Sequence, residues 1–88
     1  MTKRAKLLQK LRNVGASGAT FNDVVTLLEG YGFKRRGTTG SHWIFKYTDS
    51  KGREITATFA AQNGKTVKSA YVRNICALID EIRNESED

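Results

Sequence analysis

The chain has 88 residues, a formal net charge of +6 at neutral pH and a single cysteine, Cys76. This length predicts one domain with one modest core, and a lone cysteine excludes an internal disulfide or a cysteine-based metal site. No apolar run approaches the roughly 20 residues that span a bilayer, and charges interrupt the N-terminal stretch too often for a secretory signal peptide. We therefore expect a cytoplasmic protein that does not enter a membrane.

The positive charge is concentrated in the first half of the chain. Residues 1–48 contain nine Lys and Arg against two Asp and Glu, whereas residues 49–88 contain six against seven. A domain with one strongly positive side favours a polyanionic partner, with nucleic acid first and an anionic membrane or an acidic protein second. Composition leaves these classes of partner open.

The first 30 residues predict two short helices. Leucines recur at helical spacing over residues 3–13, and the GASG sequence at 15–18 breaks that helix. A second helix is predicted over residues 21–30, because Thr20 is suited to cap its N-terminus and Asp23 follows three residues later. The glycines that come next predict its end.

From residue 33 the hydrophobic period changes to two, which predicts three strands. They cover residues 33–37, 41–48 and 53–59, and the DSKG sequence at 49–52 predicts a tight turn between the last two. AQNGK at 61–65 predicts a loop. These strands are consecutive, so they predict an antiparallel meander.

The turn and the alternation predict the same register for the hairpin. Pairing Asp49 with Arg53 places three apolar residues of one strand opposite three of the other. These pairs are Tyr47 with Ile55, Phe45 with Ala57 and Trp43 with Phe59. We expect this aromatic face to cover the helices and Trp43 to pack in the core. His42, three residues from Phe45, is then predicted on the opposite, open face.

The last element predicted is a helix over residues 69–83. The order α-α-β-β-β-α predicts an α+β two-layer sandwich, a three-stranded antiparallel sheet with helices on one face. The whole chain, 1–88, is predicted to be one domain. Its parts are an N-terminal helical extension at 1–19, a core at 20–84 and an acidic tail at 85–88.

His42 is the only histidine of the chain, and it lies within the sequence GSHWIF. Most histidines on an open sheet face are solvated residues without a role. A histidine can also cleave RNA without a metal, by removing the proton of a ribose 2′-hydroxyl that attacks the adjacent phosphate. Neighbouring Lys and Arg side chains would stabilise the charge on the phosphate oxygens. Histidine suits this chemistry because it exchanges a proton near neutral pH.

Several cations are candidates to bind an RNA phosphate near this histidine. They are Lys34, Arg36, Lys46, Lys65, Lys68 and Arg73. Strand alternation predicts that Lys34 and Arg36 share a face, with Arg35 on the other. Gly40 is expected to permit an unusual backbone angle or a close approach, and Ser41 to hydrogen-bond the local turn or a phosphate.

Other chemistries fit the sequence less well. One histidine and one cysteine, without clustered acids around them, do not make a metal site. Ser41 and His42 are adjacent on a strand and point to opposite faces, which disfavours a catalytic triad. No phosphate-binding loop or dinucleotide motif has its strand-to-helix context, so we expect no cofactor. The second proton-transfer group stays open between water and a lysine, because alternation places Tyr47 on the other face.

The stretch GSHWIF, after YGFKRRGTTG and before a strand-turn-strand, resembles the Gly-Ser-His-x-x-Phe signature of HicA toxins. NGKTVKSAYVRNI resembles the second segment of that family, and the resemblance covers residues 20–82. It implies a fold related to double-stranded-RNA-binding domains. It also implies a ribosome-independent mRNA interferase of a bacterial type II toxin–antitoxin pair, with His42 as the catalytic residue.

The resemblance further implies partners. They are mRNA as the substrate and a HicB-type antitoxin that covers the active face and represses the shared operon, so DNA is contacted only through the antitoxin. Two alternatives remain beside the metal-independent ribonuclease. One is a non-catalytic RNA-binding module of the same fold, and the other is an inactive toxin that only binds its antitoxin.

Overall fold

The structure is a computed structural model that describes residues 3–14, 18–62 and 65–86. Most of the predicted GASG break lies outside these ranges, as do two residues of the predicted AQNGK loop. Among the described residues there are three helices and five strands. Their bounds are α1 (Lys3–Arg12), β1 (Ala19–Thr20), α2 (Phe21–Gly30), β2 (Lys34–Thr39), β3 (His42–Thr48), β4 (Glu54–Gln62), β5 (Thr66–Val67) and α3 (Ser69–Ser86).

All five strands form one antiparallel sheet in the order β1-β5-β4-β3-β2. The prediction of a three-stranded sheet was therefore wrong. β1 and β5 have two residues each, too few to show a period of two in the sequence. β4 continues to Gln62, so the first two residues of the predicted loop belong to a strand. Val67 is fully buried and pairs with Ala19 on one side and Ala61 on the other, which holds both short strands in place.

The helices begin and end for reasons that are visible in the sequence. Thr20 caps α2, because its hydroxyl accepts a hydrogen bond of 3.2 Å from the backbone N–H of Asp23. At the other end Gly32 has a φ of +97°, and the N–H of Phe33 donates to the carbonyl of Leu28 at 3.0 Å. This is a glycine-dependent helix end. α3 extends beyond its predicted end to Ser86, so the predicted acidic tail begins within a helix.

The predicted register of the β3–β4 hairpin is confirmed. The three aromatic and aliphatic pairs of the sequence prediction are Cα partners in the structure. At the turn, the N–H of Asp49 donates to the carbonyl of Arg53 at 3.0 Å, and Gly52 has a φ of +84°. The Asp49 carboxylate accepts hydrogen bonds from the backbone N–H groups of Lys51 and Arg53, each at 2.9 Å. These bonds, led by the one from Arg53, hold the pKa of Asp49 below its ordinary value.

The core lies between the helices and one face of the sheet. Phe45 and Phe59 are fully buried on that face, with ring centroids 5.7 Å apart, and Phe21 of α2 lies 6.0 Å from Phe59. Leu8 and Leu11 of α1 are also buried there. α1 packs against α2 and α3, so the predicted N-terminal extension contributes to the same core. No helix among the described residues has the length and apolar character to cross a membrane.

Candidate nucleic-acid interface

The other face of the sheet, here called the open face, carries the candidate site. It is formed by alternate residues of β2, β3 and β4, and its side chains are exposed or half-exposed. Those residues are Lys34, Gly37, His42, Ile44, Lys46, Thr48, Glu54, Thr56, Thr58 and Ala60. Two opposed faces result from one alternating sequence, because successive residues of a strand point to opposite sides.

His42 is the first residue of β3 and is exposed, whereas Phe45 on the opposite face is fully buried. Its Cα partners are Thr39 of β2 and Ala60 of β4. Only Gly40 and Ser41 separate Thr39 from His42, so a two-residue loop places the histidine at the end of the hairpin. Gly40 has a φ of +60°, the left-handed conformation that glycine adopts most readily.

A bulge in β2 changes the predicted arrangement of the three cations before Gly37. The register with β3 shifts between Arg35 and Gly37, so Arg36 has no Cα partner in the ladder. Lys34 lies opposite Lys46 on the open face. Because the bulge interrupts the alternation, the prediction that Lys34 and Arg36 share a face no longer follows. An isolated glycine within a strand is the sequence signal that indicates such a bulge.

Arg35 has a role that the sequence reasoning missed. It lies opposite Phe45, and its guanidinium lies over the ring of Trp43, 4.8 Å from the centroid, and 5.8 Å from that of Phe45. Trp43 is half-buried against Phe21, at 4.8 Å between ring centroids. The expectation that Trp43 packs against the core is confirmed. Arg35 is thus held on the helix-facing side by cation–π contacts.

The lysines of the open face lie at a distance from His42 along the strand. Lys46 is four residues after His42 on β3, and a rise of about 3.3 Å per residue separates their Cα atoms by roughly 13 Å. Lys34 is the Cα partner of Lys46, so it lies equally far from the row of His42 along the strand direction. The ammonium of Lys46 lies 3.6 Å from a carboxylate oxygen of Glu54.

The remaining candidate cations lie near the end of the sheet that carries β5. Lys68 directly follows β5, whose residue Val67 pairs with Ala61, and its side chain is exposed. Lys65 precedes β5, and its carbonyl accepts a hydrogen bond of 2.7 Å from Phe21. Arg73 is exposed on α3, in the helical layer.

Three cations of α1 have partners in the helical layer. Arg4 donates a hydrogen bond of 3.0 Å to the carbonyl of Gly30 and lies over the ring of Tyr31. The other two form ion pairs with α2 and α3, Lys10 with Asp23 and Arg12 with Asp80. The charges of Lys10 and Arg12 are thus compensated by carboxylates of the protein, so they contribute less to a ligand surface.

The concave and titratable features of the helical layer lie apart from His42. A cleft of about 360 Å³ is lined by α1 residues, Asn13 and Arg83 of α3. Burial raises the pKa of the Cys76 thiol, because the protein interior disfavours the thiolate. In the described part of the chain, no group of three or more His, Cys, Asp and Glu side chains is placed to hold a metal ion. The candidate site is an exposed face of the sheet.

A comparison with protein families identifies the class of this chain. The family model described as HicA toxin of bacterial toxin–antitoxin systems matches residues 21–80. That segment begins at the first residue of α2, contains the whole open face with His42, and ends within α3. The chain belongs to the HicA toxin family, the toxins of bacterial toxin–antitoxin pairs. Searches among curated proteins and among solved structures give no match.

Proposed function

We propose that this toxin is an endoribonuclease that cleaves mRNA without a metal, and that His42 is its catalytic residue. The observation that carries the proposal is the position of the only histidine. It is exposed at the end of β3 on an open, polar sheet face, and the match to a toxin family includes it. A flat face accommodates an extended polymer better than a small metabolite, which needs a concave pocket.

The proposed reaction is an intramolecular transesterification within the RNA. The imidazole of His42 accepts the proton of a ribose 2′-hydroxyl, and the resulting 2′-oxygen attacks the adjacent phosphorus. The bond between phosphorus and the 5′-oxygen breaks, which leaves a 2′,3′-cyclic phosphate and a 5′-hydroxyl end. The leaving oxygen takes a proton from water, from a lysine, or from His42 after it has become protonated. DNA is not a substrate because it has no 2′-hydroxyl.

Positive groups around His42 would bind the substrate and stabilise the transition state. Lys68 is the candidate for the reacting phosphate, because it follows Val67, whose partner Ala61 is adjacent to the Ala60 that pairs with His42. The loop residues Gly40 and Ser41 adjoin His42 and offer a backbone N–H and a hydroxyl. The other proposed RNA contacts are Lys34, Arg36, Lys46, Lys65 and Arg73.

The family membership supports two further parts of the proposal. The partner would be a HicB-type antitoxin that covers the open face in the cytoplasm, and DNA would be contacted only through that antitoxin. The order α2-β2-β3-β4-α3 would be that of a double-stranded-RNA-binding domain, to which β1, β5 and α1 are added. In this proposal the open sheet face contacts single-stranded stretches of mRNA.

The test is cleavage of an end-labelled mRNA in excess EDTA by the wild type and by His42→Ala. We expect cleavage by the wild type alone, with cyclic-phosphate and 5′-hydroxyl ends. Loss of a general base lowers the rate by about 10²–10⁴-fold. Thr26→Ala, at an exposed position of α2 in the helical layer, is the control and retains activity.

Two outcomes would contradict the proposal. Cleavage that stops with EDTA, or that His42→Ala leaves unchanged, would exclude the histidine mechanism. RNA that is bound by both proteins but cut by neither would favour a non-catalytic RNA-binding module. If RNA is neither bound nor cut, a protein that only binds its antitoxin becomes the better description.

A further inference from the structure

Two lysines of the open face lie directly opposite each other in the sheet. Lys34 of β2 and Lys46 of β3 are Cα partners, and Thr56 of β4 continues the same row. Like charges in directly opposed positions destabilise a sheet. Among the described residues, Glu54 is the one carboxylate beside them, and it lies in the next row, 3.6 Å from the Lys46 ammonium. The pair therefore keeps an excess positive charge that a bound anion would compensate.

The geometry separates this lysine pair from the catalytic histidine. The Cα atoms of His42 and Lys46 are roughly 13 Å apart, and side chains on a strand stand nearly perpendicular to the sheet. Glu54 pairs with Thr48, so its contact draws the Lys46 ammonium away from His42. The lysines and the imidazole are thus placed to contact different phosphates.

The paired residues of the row between the two positions carry no charge. They are Gly37, Ile44 and Thr58, which are Cα partners. Ile44 is half-buried, and an added side-chain carbon at Gly37 would meet no atom within 4 Å. This row offers a low, partly apolar floor on which a ribose or a base can lie. Along β3 the open face therefore has the order expected for binding a strand of nucleic acid. His42 is the reacting position, the neutral row follows, and Lys34 and Lys46 form an anion-binding pair, here called the clamp.

We propose that Lys34 and Lys46 together bind a second phosphate, beyond the neutral row, in the same RNA strand as the cleaved bond. The proposal rests on the ribonuclease activity proposed above and adds a subsite to it. The substrate is then an oligonucleotide long enough to contact both positions. A dinucleotide, which has a single phosphate, reaches His42 but gains nothing from the lysine pair.

The test compares short and long substrates that each contain one cleavable ribose. One pool contains dinucleotides covering every base step. The other pool contains the same steps within oligonucleotides of about 8 nucleotides, with 2′-O-methyl groups elsewhere. We expect the kcat/KM of the wild type to be roughly 10-fold higher for the long pool than for the dinucleotide pool. In Lys34→Gln/Lys46→Gln this ratio of the two kcat/KM values should fall close to one. A ratio is measured because a loss of active enzyme lowers both values and cancels, whereas a general loss of positive field acts more on the longer, more highly charged substrate and is measured separately with a control variant.

Lys51→Gln is the matched control, because Lys51 is exposed in the turn between β3 and β4 and has no partner across the sheet. It retains the wild-type ratio. If Lys34→Gln/Lys46→Gln keeps the wild-type ratio of kcat/KM between the long and the short pool, the proposed clamp is wrong.

A measurement of RNA binding distinguishes whether the clamp proposal or the ribonuclease proposal is wrong. With a fully 2′-O-methylated oligonucleotide, the double substitution is expected to reduce the slope of log K against log salt by about 0.7, the value for one phosphate of a single strand. If the wild type cleaves no RNA but this slope falls, the clamp stands and the catalytic proposal fails. An unchanged slope overturns the clamp whether or not cleavage occurs.

Discussion

The two faces of the β3–β4 hairpin are built from alternate residues of the same strands, and they differ in what they contribute. On the helix-facing side Phe45, Ala57 and Phe59 are almost completely removed from solvent. On the open side His42 and Thr58 are exposed. Burial of a large apolar side chain contributes about 1.5–3 kcal/mol, whereas exposed polar positions contribute little. Stability and proposed function are thus divided between neighbouring residues of one strand.

This division explains why the open face can carry charges that do not stabilise the fold. Three cations of α1, Arg4, Lys10 and Arg12, are paired with carboxylates or a carbonyl of α2 and α3. Lys34 and Lys46 instead lie opposite each other. A positive net charge therefore does not identify a ligand surface until internal compensation has been considered. The ion pair of Lys46 with Glu54 offsets one of these two charges and leaves the other for an anionic partner.

The largest expected effect comes from a truncation on the helix-facing side. Phe59→Ala removes a fully buried ring that contacts Phe21 and Phe45. We expect the free energy of unfolding to fall by about 3–5 kcal/mol, a large part of the 5–15 kcal/mol typical of whole domains. Urea unfolding followed by circular dichroism measures this change.

Thr58→Ala is the control for that substitution, because Thr58 is the preceding residue of β4 and faces the open side. Its free energy of unfolding should stay within about 0.5 kcal/mol of the wild type. Equal losses in the two variants would show that the two faces are not divided in this way.

The parts of the fold that could be predicted are those with two agreeing local signals. The hairpin register follows from the Asp49–Arg53 turn and from the alternation of Phe45, Tyr47 and Ile55 together. The start of α2 could be predicted because Thr20 is a favourable N-cap residue, and its side chain does accept a hydrogen bond from the N–H of Asp23. His42 and Phe45 are an odd number of positions apart along one strand, so a buried Phe45 implies an exposed His42. The position of the candidate catalytic residue could therefore be predicted from the sequence.

The missed features depend on contacts between residues that are distant in sequence. β1 and β5 exist because Val67 is buried between Ala19 and Ala61, and no two-residue segment shows a periodic pattern. The bulge at Arg36 is defined only by the pairing of β2 with β3. The position of Lys68 directly after the residue that pairs with Ala61 likewise depends on the β4–β5 register. Sequence indicated which residues carry charge, but not which of them lie beside the histidine.

A smaller effect is expected from reversing one charge of the lysine pair. Lys34→Glu replaces two like charges opposite each other with an opposite pair, so we expect the free energy of unfolding to rise by about 0.2–1 kcal/mol. RNA affinity should fall in the same protein. Chemical unfolding and filter binding measure the two quantities, and Lys51→Glu controls for the change in net charge. A variant that loses both stability and affinity would show that the pair supports the fold.

The smallest expected effect concerns the turn that joins both faces. Asp49→Ala removes the acceptor of two backbone N–H groups and the ion pair with Arg53, so we expect a modest fall in Tm. The pKa of Asp49 is lowered in the folded state, from an ordinary value of 3.8. Its ionised form therefore stabilises the protein above that pH, and the stabilisation is lost as the pH falls through the lowered value. The difference in Tm between wild type and Asp49→Ala should accordingly narrow below pH 3.8.

The same variant separates the two determinants of register. If the aromatic face alone holds the strands in place, Asp49→Ala should keep the wild-type rate of RNA cleavage at temperatures where it is folded. Thermal unfolding between neutral pH and pH 3, with cleavage assayed at neutral pH, measures both properties. A rate that falls further than the folded fraction would mean that the turn also positions the open face. In that case the two faces depend on one another through their shared strands, because a slip in register moves every side chain of β3 to the opposite side.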